Sequence, residues 1–256
     1  MKVFICGSSY EDMLTCIYDA WSCALGVGHS GVCLMREPLR QLDMFADYIH
    51  VDADYEKSDK VMRSVRRISD IVYMNMFYAL MSWQDDALDA VYRYLIVAFK
   101  EGRKVEHMLI LPEVMKVMEL RRTVGNEVHR FREFARFTAV DRRVYVCHIE
   151  PRNNVLIPVA EHFADRMMSE HWMIMDDNRR LAAVHPRDEN MYIRVLTDNE
   201  AEALSKAEKM RDEYTDMWKS FFETIGIEQR ENPKCQRNMF PIWSRKHVTE
   251  FIHDIR

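Results

Sequence analysis

Hydrophobic positions change period several times along this chain, and the changes mark its elements. Residues 2–6 form a short apolar run that ends at Gly7, a strand by length and boundary. Ser8 and Ser9 stand where a helix cap belongs, ahead of Met13, Ile17, Ala20, Trp21 and Ala24 on one helical face. Gly26, Gly28 and Gly31 end that helix. Residues 32–55 are irregular apart from a short strand at 48–51. Helical spacing then returns in Val61, Val65, Ile68 and Val72, and continues through Met76, Phe77 and Leu80. A further helix carries Leu88, Val91, Tyr92, Leu95 and Phe99 and stops at Gly102. Pro112 fits the first turn of a helix running towards Glu127.

After residue 130 the period shortens. Residues 134–138 and 143–149 read as two strands around a turn at 140–142, and Pro151 ends the second. Val159, Phe163 and Met167 mark a helix at 159–168, on which His162 and Arg166 lie four apart and share a face. Residues 172–175 form a third strand, and 180–195 contain one or two more, with 191–196 the clearest. Thr197 and Glu200 fit a capping box for a long helix carrying Leu204 through Ile225. No internal repeat is visible. The pattern predicts an α+β or mixed α/β protein: a small central sheet packed against several helices, with a helical segment inserted between the N-terminal βα unit and the main sheet. One compact unit over residues 1–256 is expected, subdivided into a βα segment at 1–55, a helical segment at 56–129, a sheet-and-helix core at 130–227 and a basic wrap at 228–256.

Composition narrows the classes. At 256 residues, 48% hydrophobic and 30% charged, the chain can bury a large core. The 19 methionines read as gap-filling core residues. Six cysteines form no CxxC pair, so neither a zinc nor an iron–sulfur spacing is present. The start, MKVFICGSS, enters a strand directly, and no uncharged apolar stretch approaches a membrane span. A cytoplasmic protein with reduced thiols and no membrane partner is the expectation. The net charge of −5 argues against a globally basic nucleic-acid coat. The basic residues are nonetheless concentrated at 121–152 and 230–256, which allows one focused anionic site.

Three clusters carry candidate chemistry. In the first, His129, Arg130, Arg132 and Arg136 interleave with Phe131, Phe134 and Phe137. Arginine forks match phosphate and aromatic rings stack on bases, so this mixture suits a nucleic-acid surface. A strand with Phe inward and Arg in solvent gives the same alternation. In the second, His162 and Arg166 precede Asp176, Asp177, Arg179 and Arg180. A His–Asp pair can run acid–base chemistry or activate water, and a structural His–Arg–Asp network uses the same residues. His162, Glu170 and His171 have no metal-ligand spacing, which leaves only ligands converging from separate elements. In the third, Arg230, Lys234, Arg237, Arg245 and Lys246 of the tail can meet phosphates beside Trp243, or can be solvated charges on a C-terminal wrap. The strand–glycine–helix start lacks GxGxxG and GxxxxGK, so a packed βα unit is the better reading there than a nucleotide loop.

Several segments together resemble a bacterial family described as DNA metabolism or DNA repair proteins, also classed as a domain of unknown function. They are EVHRF at 127–131 with RF at 136–137, IEPRNNVLIP, HFADR, the DDNRR run from Asp176, WKSFF, RxNPxxQ and the PxW stretch at Pro241–Trp243. The resemblance spans nearly the whole chain and is most specific after residue 120. Glu133 stands where the family pattern GFxRF has glycine, which alters how closely backbone there can approach a ligand. The resemblance implies DNA work beside uracil-DNA-glycosylase-like and radical-SAM-like partners, and it assigns no reaction.

The leading expectation is a DNA-binding accessory or processing protein in repair, acting on single-stranded or damaged DNA. His129, Arg130, Arg132, Arg136, Arg166, Arg180, Arg237, Arg245 and Lys246 would contact the nucleic acid. The alternatives are a nucleic-acid hydrolase or glycosylase-like enzyme using His162 with Asp176 or Asp177, and a protein adaptor for a repair enzyme. No cofactor and no metal are assigned. His129, Arg136, His162, Arg166, Asp176 and Arg180 are expected to converge in one cleft, and Arg237, Arg245 and Lys246 to face outward.

Overall fold

The computed structural model describes residues 1–39, 45–140, 143–197, 199–200, 217–218, 220–221, 224 and 232–251. It is the mixed α/β fold that the pattern predicts. The chain separates into two compact units, Met1–Gly125 and Asn126–Arg256.

The first unit holds three parallel strands, β1 (Lys2–Cys6), β2 (Val32–Arg36) and β3 (Asp47–Val51), in the order β2-β1-β3. Its helices are α1 (Tyr10–Val27), α2 (Tyr55–Ile68), α3 (Asp70–Leu80), α4 (Ala87–Glu101) and the first part of α5 (Pro112–Phe134). Ser9 caps α1 in a reciprocal box with Asp12, a device contributing about 1 kcal/mol. Gly7 serves that box: a Cβ there would sit 2.4 Å from the Asp12 carboxylate. The glycine after β1 thus makes room for a cap. Asp54 and Ser69 cap α2 and α3. The apolar faces read from the sequence meet in one core, including Ile17, Val65, Val72, Leu88 and Leu95.

The second unit is built on a five-stranded sheet in the order β4-β5-β6-β7-β8. The strands are β4 (Thr138–Val140), β5 (Val144–Ile149), β6 (Trp172–Asp176), β7 (Leu181–His185) and β8 (Tyr192–Val195). β5 and β6 run parallel, connected through α6 (Leu156–Arg166), and every other pairing is antiparallel. α6 packs on β6 and β7. The parallel pair matters for function, because ligand sites in α/β folds gather at the carboxyl ends of parallel strands. Here those ends are Ile149–Glu150 and Asp176–Asp177, held together as the Asp177 N–H donates to the Ile149 carbonyl at 3.1 Å.

β2 (Val32–Arg36) falls where the sequence reads as irregular, and the chain around the end of α5 also differs from the sequence expectation. α5 continues to Phe134, and β4 starts only at Thr138. Val124, Val128 and Phe131 prolong the buried face of α5 at helical spacing, so the Arg–Phe alternation lies on a helix and its exit. The long helix expected over 198–225 falls mostly outside the described residues, although its capping box is present: Thr197 N and Oγ1 donate to Glu200 at 3.0 and 2.8 Å. The tail contains α7 (Pro233–Met239), capped by Asn232. Phe240, Val248 and Phe251 form a small core there with Phe134, whose ring stacks on that of Phe240 at 3.9 Å.

Among the described residues no helix is long and apolar enough to cross a membrane.

Candidate functional site

The loop after β5 is gripped from two sides. Glu127, on the buried face of α5 and 3% exposed, accepts from Arg152 N and Asn153 N, each at 2.9 Å, and from the Asn153 amide. From the other side, the Arg179 and Asn178 side chains donate to the Pro151 carbonyl at 3.1 and 3.0 Å, and Arg179 also reaches the Arg152 carbonyl. Arg179 is aimed by Asp176, a fully buried carboxylate that accepts from its guanidinium at 2.9 Å and its backbone at 3.1 Å. Burial pushes the Asp176 carboxyl above its ordinary value, and the Arg179 charge and hydrogen bonds offset part of that rise. The EVHRF, IEPRNN and DDNRR segments are therefore the parts of one clamp, which leaves Glu150 and Arg152 at fixed positions.

Beside the clamped loop lies a cationic aromatic platform. The Arg130 and Arg152 guanidiniums rest over the Trp243 ring, 5.2 and 4.8 Å from its centroid. Burial pushes Arg130 below the usual arginine range; the Glu127 charge opposes this and the Arg152 charge adds to it. Two like charges on one ring repel, and the ring quadrupole compensates only in part.

A third group adjoins this platform at the strand ends. His148 Nδ1 lies 2.9 and 3.0 Å from the two Asp177 oxygens. His247 Nε2 lies 3.0 Å from Glu150 Oε1 and 3.6 Å from Asp177 Oδ2, and Lys246 also donates to Glu150 Oε1. The two imidazoles stack 5.5 Å apart. Burial acts to raise the Glu150 carboxyl, but Lys246 and His247 together hold it below the ordinary value. The ligand atoms of Glu150, Asp177 and His247 all fall within 4.8 Å of one another, so among the described residues this group could hold a metal ion. The set combines acid–base groups, cations and metal-capable donors at the carboxyl ends of the two parallel strands.

The residues singled out from sequence are distributed unevenly around this site. Arg130, Asp177 and Lys246 belong to it, and Asp176 supports it through Arg179. His162 stands apart, with Arg132, Arg166 and Asp165 as its charged neighbours; burial and then the two arginines lower its basicity. Arg132 donates to the Pro158 carbonyl at 2.6 Å. His129 pairs with Glu133 at 3.1 Å, and Arg136 with Glu250. The six residues expected to share a cleft thus have largely separate partners. Arg166, Arg180 and Arg237 are exposed. Arg245 corrects the expectation of an outward-facing tail. It is 2% exposed and donates twice to the Phe240 carbonyl, at 3.0 and 2.8 Å, with its guanidinium over the Phe240 and Phe251 rings. Its long stem and planar head fill the small tail core, so it serves packing. Glu127, His148, Glu150, Arg152 and His247 were not singled out. The signal available for His148 and Glu150 was a histidine and an acid alternating at a strand end, His148-x-Glu150; Glu127, Arg152 and His247 carried no such local pattern.

Fold and site together define an α/β protein with a polar, cation-rich site at the carboxyl ends of a parallel strand pair. Residues 85–250, more than half of the chain, match the family model described as a domain of unknown function (DUF4130), and the chain belongs to that family. No curated protein and no solved structure matches it.

Proposed function

We propose that the second unit binds a DNA strand, single-stranded or damaged, and acts in DNA repair or metabolism. The observation that carries this reading is the pair of guanidiniums held together over Trp243. Concentrating two like charges on one platform costs free energy that an arriving phosphate returns, and arginine forks match phosphate oxygens. Lys246 adds a third cation nearby, and the aromatic ring suits a strand whose bases are unpaired. The clamp from Glu127, Asp176 and Arg179 keeps Arg152 in place before the ligand arrives, which reduces the ordering cost of binding. The resemblance to DNA metabolism proteins supports the same reading, and with it a partnership with uracil-DNA-glycosylase-like and radical-SAM-like enzymes.

The test is a binding titration with single-stranded, duplex and uracil-containing oligonucleotides at several salt concentrations. Affinity for at least one should fall with added salt as counterions are released, and should weaken in the Arg130→Ala/Arg152→Ala variant. No binding of any of these DNAs at low salt would overturn the reading in favour of a protein adaptor.

A further inference from the structure

We propose that Glu150, Asp177 and His247 form a binding site for a divalent transition-metal ion of the Mn2+ type. The proposal deepens the strand-binding reading and rests on it for the use of the ion, though not for its binding. The three donors come from separate places: the residue after β5, the residue after β6, and the tail. Their ligand atoms nevertheless lie within 4.8 Å of one another.

The distances suit a shared ion. Metal–nitrogen and metal–oxygen bonds of about 2.0–2.2 Å place adjacent ligand atoms roughly 3.0–3.5 Å apart. His247 Nε2 lies 3.0 Å from Glu150 Oε1 and 3.6 Å from Asp177 Oδ2. One ring nitrogen carries at most one proton, and here it faces two carboxylate oxygens. A cation in the space between them satisfies all three groups at once. Two carboxylates with an imidazole favour Mn2+, Fe2+ or Zn2+ over an all-oxygen ion such as Ca2+. Asp177 also has outer support, because His148 Nδ1 sits against both of its oxygens at 2.9 and 3.0 Å. Ligating carboxylates in metal sites are held by such hydrogen bonds. Lys246, 58% exposed and bonded to the same Glu150 oxygen as His247, is the competitor that the ion displaces from Glu150.

A bound divalent ion would place positive charge next to Arg130 and Arg152 and offset the two carboxylates, which otherwise repel phosphate. Ion and DNA strand should then each raise the affinity of the site for the other by the same factor.

The experiment is a titration of the full chain with Mn2+ alone, followed by electron paramagnetic resonance and calorimetry. Circular dichroism confirms that each variant is folded. The expected result is one saturable Mn2+ per chain, weakened at least tenfold by Asp177→Asn and by His247→Ala. Lys246→Ala should bind Mn2+ at least as tightly as the wild type. No saturable binding to the wild type, or binding that both ligand variants leave within twofold, would overturn the proposal and leave the cluster a set of ion pairs. Weaker binding in Lys246→Ala would count against a site at Glu150. DNA binding measured in a chelator tests the strand reading separately, so the two can fail independently.

Discussion

Replacing Glu127 tests whether its carboxylate holds the loop after β5. Its carboxylate accepts three N–H groups, two of them from buried Asn153. Glu127→Ala leaves those two donors without partners, each costing about 1–3 kcal/mol, while Arg152 N can turn to water. The loss should be about 4 kcal/mol, or a fall in melting temperature of roughly 10–15 °C for a chain of this size. Glu127→Gln keeps the shape and one acceptor oxygen but turns an NH2 towards a backbone donor, so about 2 kcal/mol is expected. Arg152→Ala should cost under about 1 kcal/mol, because the clamp holds the Arg152 backbone and its side chain is exposed. Thermal and urea unfolding followed by tryptophan emission, with buried Trp172 as a reporter, would rank the three. A Glu127→Ala protein melting within about 2 °C of the wild type would refute the clamp. So would a Glu127→Gln protein as unstable as Glu127→Ala.

Two further outcomes follow from the tail. Arg245→Ala should lower stability by about 3 kcal/mol, since it removes two charged hydrogen bonds from the buried Phe240 carbonyl; Arg237→Ala should leave the urea midpoint unchanged, and equal effects would contradict the packing role. Burial acts to raise the Glu250 carboxyl, but Arg136, backbone and Trp218 hydrogen bonds hold it below its ordinary 4.5. A depressed carboxylate contributes stability that is present above the unfolded value and lost as pH falls through the folded one. The stability difference between wild type and Arg136→Ala should therefore be larger at pH 6 than at pH 3, and a difference independent of pH would contradict the pair.

Much of the fold was legible because burial imposes period. Ile17, Val65, Leu88 and Val159 announce their helices through spacing alone, and Lys2–Cys6 and Trp172–Asp176 are runs too short for anything but strands. The end of α5 was hidden because Phe131, Phe134 and Phe137, three apart, fit a helix face, while the arginines between them imitate strand alternation. The site was legible only in parts. Asp177 stood out as one of a pair of acids, but its partners depend on strand register, and the pattern did not reveal that β5 and β6 run parallel with Ile149 opposite Asp176. His247 lies 97 residues from Glu150, beyond the reach of any local motif. Arg245 and Lys246 are adjacent and chemically alike, yet one is buried under two rings and the other exposed. Composition carries no information on that choice, because it is made by the shape of the tail core.

Whether the Arg130–Trp243–Arg152 platform takes the phosphates of a DNA strand is decided by the salt dependence of binding. The wild type and the Arg130→Ala/Arg152→Ala variant would be titrated with a labelled single-stranded oligonucleotide across a range of salt, in chelator. Each phosphate contact to a single strand contributes about 0.7 to the slope of log affinity against log salt, so losing two should reduce the slope by about 1.4. That reduction is expected with the melting temperature preserved. Equal slopes and equal affinities in the two proteins would contradict it.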